Sequence, residues 1–419
     1  MTGIIHYSTT TSGIGGVIKR RIADFVVREI TQQGRVLEVK GFTETETTQE
    51  KIIIPPKTEN ESLHLTMEKF NLDTNEALRR ISRILHLSPK RFGYAGLKDR
   101  RGITAQRISI WNPDTTLVEK FKSRYAVLRE PSWEKDRIEI GNLKGNFFEV
   151  TIRAIEMQEE ELKKTTEQAL LEMKDGVANY FGEQRFGGIR QVTHVVGKEF
   201  VKGNLEKAVM TYLTLPSNEE KEISQARKNL AQTKDFDTAL KEFPQKFRYE
   251  RSILHHLAVF PLDFVGAFQK MPKHLTYIFT HAYQSYLFNL VINERIESGT
   301  GLQPVEGDIL EDGIPTAPLF GFDSVLPQGK IGEIERKILE AENIKLEDFK
   351  IRSFGELSCS GARKKLLVKP LDPKIISIEK DELNEGKLKM RLSFGLEKGN
   401  YATTILRELM KSPQIGSNQ

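Results

Sequence analysis

Hydrophobic and polar positions alternate with a period of two near both ends of this chain, and follow a helical period in the middle. Phe25 and Val27 share one face of a predicted strand, with Asp24, Val26 and Arg28 on the other. Further strands are expected over 36–40 and 63–67. A helix is expected from Asp73, with Glu76 as capping-box partner and Leu78, Ile81 and Leu85 as its apolar stripe. Phe92 and Tyr94 followed by Gly96 predict a short strand ending in a turn, and Ile103, Thr104, Ile108 and Ile110 predict the next extended segment. Over 143–153, Asn146, Phe148, Val150 and Ile152 fall on one face. A charged helix over 156–174 is closed by Gly176. Near the other end, Leu388, Met390, Leu392 and Phe394 alternate with Lys387, Lys389, Arg391 and Ser393, the pattern of a half-buried antiparallel strand.

At 178–188 the texture changes, with Gly182, Gly187 and Gly188 set among aromatics. Beyond it the chain reads as helical, including a long apolar helix over 274–296 and a charged one over 332–346. His281, Gln284, Ser285 and Asn289 on the long helix read as internal hydrogen-bonding groups. The β-rich ends around a helical middle predict an α+β chain in which one domain interrupts another. The expected division is 1–177 with 358–419, and 178–357 inserted; 419 residues suit two domains.

Composition is that of an ordinary globular protein, 38% hydrophobic and 29% charged. The net charge of +5 is modest, so its distribution matters more than its size. Between Arg79 and Arg107 there are nine Lys or Arg residues and a single acid, Asp99, and Lys19-Arg20-Arg21 forms a second basic cluster. Such patches on a balanced protein point to a polyanion, most often nucleic acid. The single cysteine, Cys359, excludes an internal disulfide, and no Cys/His cluster has metal-ligand spacing. With no signal-peptide pattern and no long uncharged apolar run, a cytoplasmic protein without a membrane span is expected. Gly13-Ile14-Gly15-Gly16 precedes a strand-like segment, which disfavours a dinucleotide loop.

Asp99 is the focus of candidate chemistry. It falls on a loop between two scaffolded strands, and the surrounding cations favour its ionised form. An exposed carboxylate of this kind serves as nucleophile, base or metal ligand, and a salt-bridging surface carboxylate fits the same pattern. Asn146 reads either as a turn residue or as an amide aimed at a base edge, and turn chemistry favours the first. Periodicity alone places Phe25 in a core.

Six stretches, in order, resemble motifs of the TruD family of tRNA pseudouridine synthases. They are Lys19 with Asp24-Phe25-x-Val27-x-Glu29; Gly96-x-Lys98-Asp99, with Thr104 and Gln106 beyond; Gly145-Asn146-x-Phe148; Asn179-Tyr180-Phe181-Gly182-x-Gln184-Arg185-Phe186-Gly187; Gln284-Ser285-x-x-Phe288-Asn289; and Gly399-x-Tyr401-Ala402-Thr403 with Arg407-Glu408-Leu409. Departures at Ala23, Ala178, Ala362 and Glu397 touch no position the chemistry uses. The resemblance implies a mixed, largely antiparallel catalytic domain with an inserted α/β domain of the TruD type. It implies conversion of uridine to pseudouridine in tRNA, typically at uridine 13, with no cofactor, no metal and no obligate protein partner. By family position Asp99 starts glycosidic cleavage, by attack at C1′ or by deprotonating the ribose. Phe25, Phe148 and Tyr401 pack the flipped nucleotide, Asn146 hydrogen-bonds it, Lys19 and Lys98 supply charge, and Arg100 contacts phosphate. An RNA base glycosidase and a non-catalytic RNA-binding protein remain as alternatives.

Overall fold

Eight strands form one sheet: β1 (Phe25–Ile30), β2 (Ser62–Phe70), β3 (Phe92–Tyr94), β4 (Ile103–Trp111), β5 (Ala126–Glu134), β6 (Gly145–Ile155), and the strands Leu371–Lys380 and Leu388–Glu397. The computed structural model describes residues 2–412 except 43–46, 49, 58, 60, 189 and 218. Across the sheet the order is Leu371–Lys380, Leu388–Glu397, β6, β1, β4, β2, β5, with β3 also on β4. Every pairing is antiparallel except β1 with β4. The α+β character read from the alternation, and the mixed, largely antiparallel sheet that the resemblance implies, are therefore the observed ones.

The register puts one set of side chains on a common face: Val27 lies opposite Thr104 and Phe148, Glu29 opposite Asn146, Thr104 opposite Lys69, and Phe148 opposite Phe394. Helix α1 (Thr74–Ile84) covers part of that face, burying Ala77, Leu78 and Ile81 against Leu63, Leu65, Met67, Ile108 and Ile110. Asp73 caps it, accepting from the Glu76 N–H at 2.9 Å. A strand over 36–40 does not form. Ile30 and Val36 share only an isolated bridge, and the amides of Lys40 and Gly41 donate instead to the buried Glu68 carboxylate. A charged acceptor thus replaces a ladder partner.

The chain divides into two compact units, Ser8–Gly176 with Lys369–Gln419 and Met1–Tyr7 with Val177–Val368. The second is chiefly helical, built around Lys273–Glu297, with the small antiparallel pairs Ile314–Leu319 with Ala362–Lys365 and Val177–Ala178 with Leu367–Val368. Its core includes Phe186, Phe200, Phe268, Tyr283 and Phe288. Residues 1–7 and 358–368, assigned from sequence to the other domain, group here for definable reasons. Asn289 and Asn293 donate to the carbonyls of Thr2 and Gly3 at 3.0 Å, and Leu366 N–H donates to Pro315 O at 2.8 Å. His281 is exposed, its ring nitrogen 2.9 Å from Gln284 Oε1. Among the described residues no helix is long and apolar enough to cross a membrane.

Candidate active site

Parallel pairing of β1 with β4 starts both strands at the same end, so the segments that precede them run side by side. Lys19 and Asp99, eighty residues apart, meet there: Lys19 Nζ donates to Asp99 Oδ1 at 3.0 Å. The Lys19 side chain is buried, with Nζ 4.1 Å from the centre of the Phe25 ring. Its backbone has φ of 58°, a left-handed conformation costly for a lysine. Arg101 holds it there, donating to Lys19 O at 2.8 Å and Arg20 O at 3.1 Å. The Asp99 side chain retains 36% exposure, so the carboxylate is fixed at one oxygen yet open to solvent.

The loop carrying Asp99 is tied down along its length. Thr74 Oγ1 accepts from Lys98 N–H at 3.0 Å and donates to Gln106 Oε1 at 3.0 Å, and Gln106 Nε2 donates to Gly96 O at 3.1 Å. Lys98 points inward, away from solvent, and its ammonium lies 3.0 Å from the buried Glu29 carboxylate. Under the loop, Lys69 donates to Leu72 O at 2.6 Å, Lys98 O at 3.3 Å and Asp99 O at 2.7 Å. Burial pushes the Lys69 ammonium down to about 8, against the pull of Asp99 and Asp73. Gly102 N–H donates back to Arg100 O, and a Cβ on Gly102 would stand 2.5 Å from Phe25 O, so β1 and the loop approach as closely as a glycine permits.

The remaining predicted residues fall into three groups. Phe25 and Phe148 are buried, their ring centres 6.1 Å apart, with Phe148 stacked on Phe394 at 5.5 Å. Asn146 lies within β6, which removes the turn reading. Its Oδ1 is shielded and has no hydrogen-bond partner among the described residues. Tyr401 and Arg100 are exposed, Tyr401 as the N-cap of the helix Ala402–Met410. These two are not brought against Asp99 by any contact described.

Lys69 and Arg101 were missed as site residues by sequence reasoning. Lys69 had a signal, since it shares strand parity with Leu63, Leu65 and Met67, where a fourth apolar side chain belongs. Arg101 had none, because nothing in its spacing distinguishes a backbone clamp from a solvated cation. The basic window also changes in space. Glu76 pairs with Arg79 and Arg80, Arg91 donates to Trp111 O, and the inward Arg107 donates to Thr66 and to Glu130 O. Arg83, Lys90, Arg100 and Arg101 stay exposed. Among the described residues no three His, Cys, Asp or Glu side chains gather as a metal site.

The arrangement presents an accessible carboxylate backed by a fixed cation. Comparison with known proteins bears on its use. The chain matches the model of the family described as tRNA pseudouridine synthase D (TruD) over residues 1–313 and 310–409. A Methanococcoides burtonii protein carrying the name tRNA pseudouridine synthase D is 38% identical, covering 98% of this chain and 96% of its own. A namesake from Methanosarcina acetivorans is 39% identical with the same coverage. The crystal structure of a protein of that name from Methanosarcina mazei superposes with a TM-score of 0.80 at 36% identity, over 98% of this chain and 97% of the other.

Proposed function

The chain belongs to the tRNA pseudouridine synthase D family, and from that premise we propose that Asp99 drives isomerisation of uridine 13 of tRNA to pseudouridine. As a member of this family the chain is a tRNA pseudouridine synthase, an isomerase acting on uridine in tRNA. The observation that carries the finer reading is the Lys19–Asp99 contact at 3.0 Å on a loop anchored from below, with the carboxylate left open.

In this reading the unit Ser8–Gly176 with Lys369–Gln419 is the catalytic domain and Met1–Tyr7 with Val177–Val368 the insert. The target base sits inside folded RNA and is flipped out to be reached. Asp99 then promotes breakage of the C1′–N1 bond, by attack at C1′ or by taking a ribose proton. The uracil turns, C5 bonds to C1′, and the proton displaced from C5 is balanced by one gained at N1. Atoms and electrons are conserved, so no oxidant or group donor enters. Lys19 orients the carboxylate through its hydrogen bond to Oδ1. Asn146 supplies the shielded Oδ1 to a uracil N–H, an acceptor whose present lack of a partner suits a donor brought by substrate. Phe25, Phe148 and Tyr401 give the nucleotide its packing, and Arg100 meets phosphate. A cytoplasmic location follows from such a substrate.

Asp99→Asn tests the assignment, because an amide of the same shape is neither nucleophile nor base at neutral pH. Expected are tRNA affinity within about threefold, an unchanged melting temperature, and tritium release from 5-tritiated uridine at position 13 reduced by about a thousandfold or more. Substantial pseudouridine formation by a variant verified as undeamidated would remove Asp99 from the mechanism. Free uracil released by the unaltered protein would indicate a glycosidase instead.

A further inference from the structure

Lys69 is the most deeply buried of the charged side chains Lys19, Glu29, Lys69 and Lys98 around the Asp99 loop. It is fully buried on β2, in line with Leu63, Leu65 and Met67, and among the described residues no carboxylate forms an ion pair with it. A methionine there would fill the same volume without taking a charge out of water. Three backbone carbonyls converge on its ammonium, two of them from the successive residues Lys98 and Asp99 and the third from Leu72. Carbonyl oxygens aimed at one point repel each other, and only a group with three donors satisfies them together. Thr74, Gln106 and Glu29 tie the loop at Gly96 and Lys98, Arg101 ties it to the backbone of Lys19 and Arg20, and Lys19 meets the Asp99 side chain. The bond to Asp99 O at 2.7 Å grips the backbone of the reactive residue itself.

We propose that Lys69 is a positioning residue for Asp99, its ammonium fixing the turn from which the carboxylate projects toward Lys19. The inference rests on the assignment of Asp99 above. It carries a pH signature. The charged groups facing the amine are Asp99 and Asp73, which favour its protonated form, and Lys98, which opposes it, with burial the dominant influence. With the amine held at about 8, its third donor is lost as pH rises through that value, and one carbonyl then faces a lone pair. The loop loosens and the reaction slows on the alkaline side, while RNA contacts made by exposed cations persist.

The test measures single-turnover pseudouridine formation from pH 6.5 to 9, tRNA affinity, melting temperature, and hydrogen exchange of amides 96–102. Lys69→Met and Lys69→Arg are compared with the unaltered protein. Expected for Lys69→Met are an unchanged or raised melting temperature, affinity within about threefold, faster exchange over 96–102, and a rate reduced about a hundredfold, the scale of a displacement near 1 Å. Lys69→Arg, which stays protonated throughout, recovers a tenfold part of the rate or more and lacks the fall near pH 8. A Lys69→Met rate within about threefold of the original overturns the proposal. So does a loss matched by lost stability and affinity, as a merely structural lysine would give. Should Lys69→Met fail to fold, the alkaline limb decides: its survival in Lys69→Arg overturns the proposal. An unaltered protein that forms no pseudouridine refutes the functional reading itself, a result separable from all of these.

Discussion

At the scale of residues, two polar atoms in unfavourable settings carry information. Asn146 Oδ1 is shielded without a partner among the described residues, so the folded protein bears a desolvation cost, which a base bound in the proposed way would repay. Asn146→Ala removes that cost along with the acceptor. Its expected signature is a melting temperature held or slightly raised, with kcat/KM for tRNA lowered about tenfold or more. The second atom is in the helical unit. Lys364 lies between Phe181 and Phe288, 5.1 and 5.3 Å from their ring centres, and burial brings its ammonium down to about 7. The unfolded chain, with an ordinary lysine, binds this proton more tightly than the folded one. Stability therefore rises with pH from about 7 toward 10, by up to about 1.4 kcal/mol per pH unit. Denaturant titrations at pH 7 and 9 should show the rise in the unaltered protein and a smaller one in Lys364→Met, which is also the more stable at pH 7.

At the scale of elements, the site depends on strands whose ends coincide. Gly102 shows how tightly. Gly102→Ala sets a Cβ 2.5 Å from Phe25 O, against backbone that cannot swing aside. The expected loss is about 1–3 kcal/mol, read as a lower denaturation midpoint, with reduced turnover because the Asp99 loop shifts with it. Much of this was legible in the sequence: the alternations at Phe25 and Val27 and at Asn146 and Phe148, the Asp73 cap, and the loop position of Asp99 all follow from local pattern. What stayed illegible is what local pattern does not encode. The 36–40 stretch has strand-like composition, yet the Glu68 carboxylate claims the amides of Lys40 and of Gly41 just beyond it. Lys98 reads as a solvated cation until Glu29 from another strand is placed against it. The parallel pairing that brings Lys19 to Asp99 is a property of topology, and no periodicity announces it.

At the scale of the whole molecule, the count of basic residues overstates the electrostatic footprint. Of the nine cations in the window 79–107, Lys98 and Arg107 are inward, Arg91 donates to Trp111 O, and Glu76 engages Arg79 and Arg80, so that Arg83, Lys90, Arg100 and Arg101 are the exposed ones outside these ties. Four phosphate contacts predict that tRNA affinity falls about 50- to 150-fold between about 50 and 200 mM salt, well short of what nine contacts would give. Filter-binding titrations over that range separate the two counts by slope. The order of the chain has a different consequence. The strand Leu388–Glu397 pairs with β6, but the chain between them, Val177–Val368, belongs to the other unit. A ribosome adding about 5–20 residues per second takes roughly 10–40 s over the intervening stretch of roughly 200 residues. For that interval one long edge of β6 lacks its permanent neighbour, and at its end the guest sequence is complete. Synthesis thus finishes the guest before the host, and the host's sheet closes only when the last strands leave the exit tunnel.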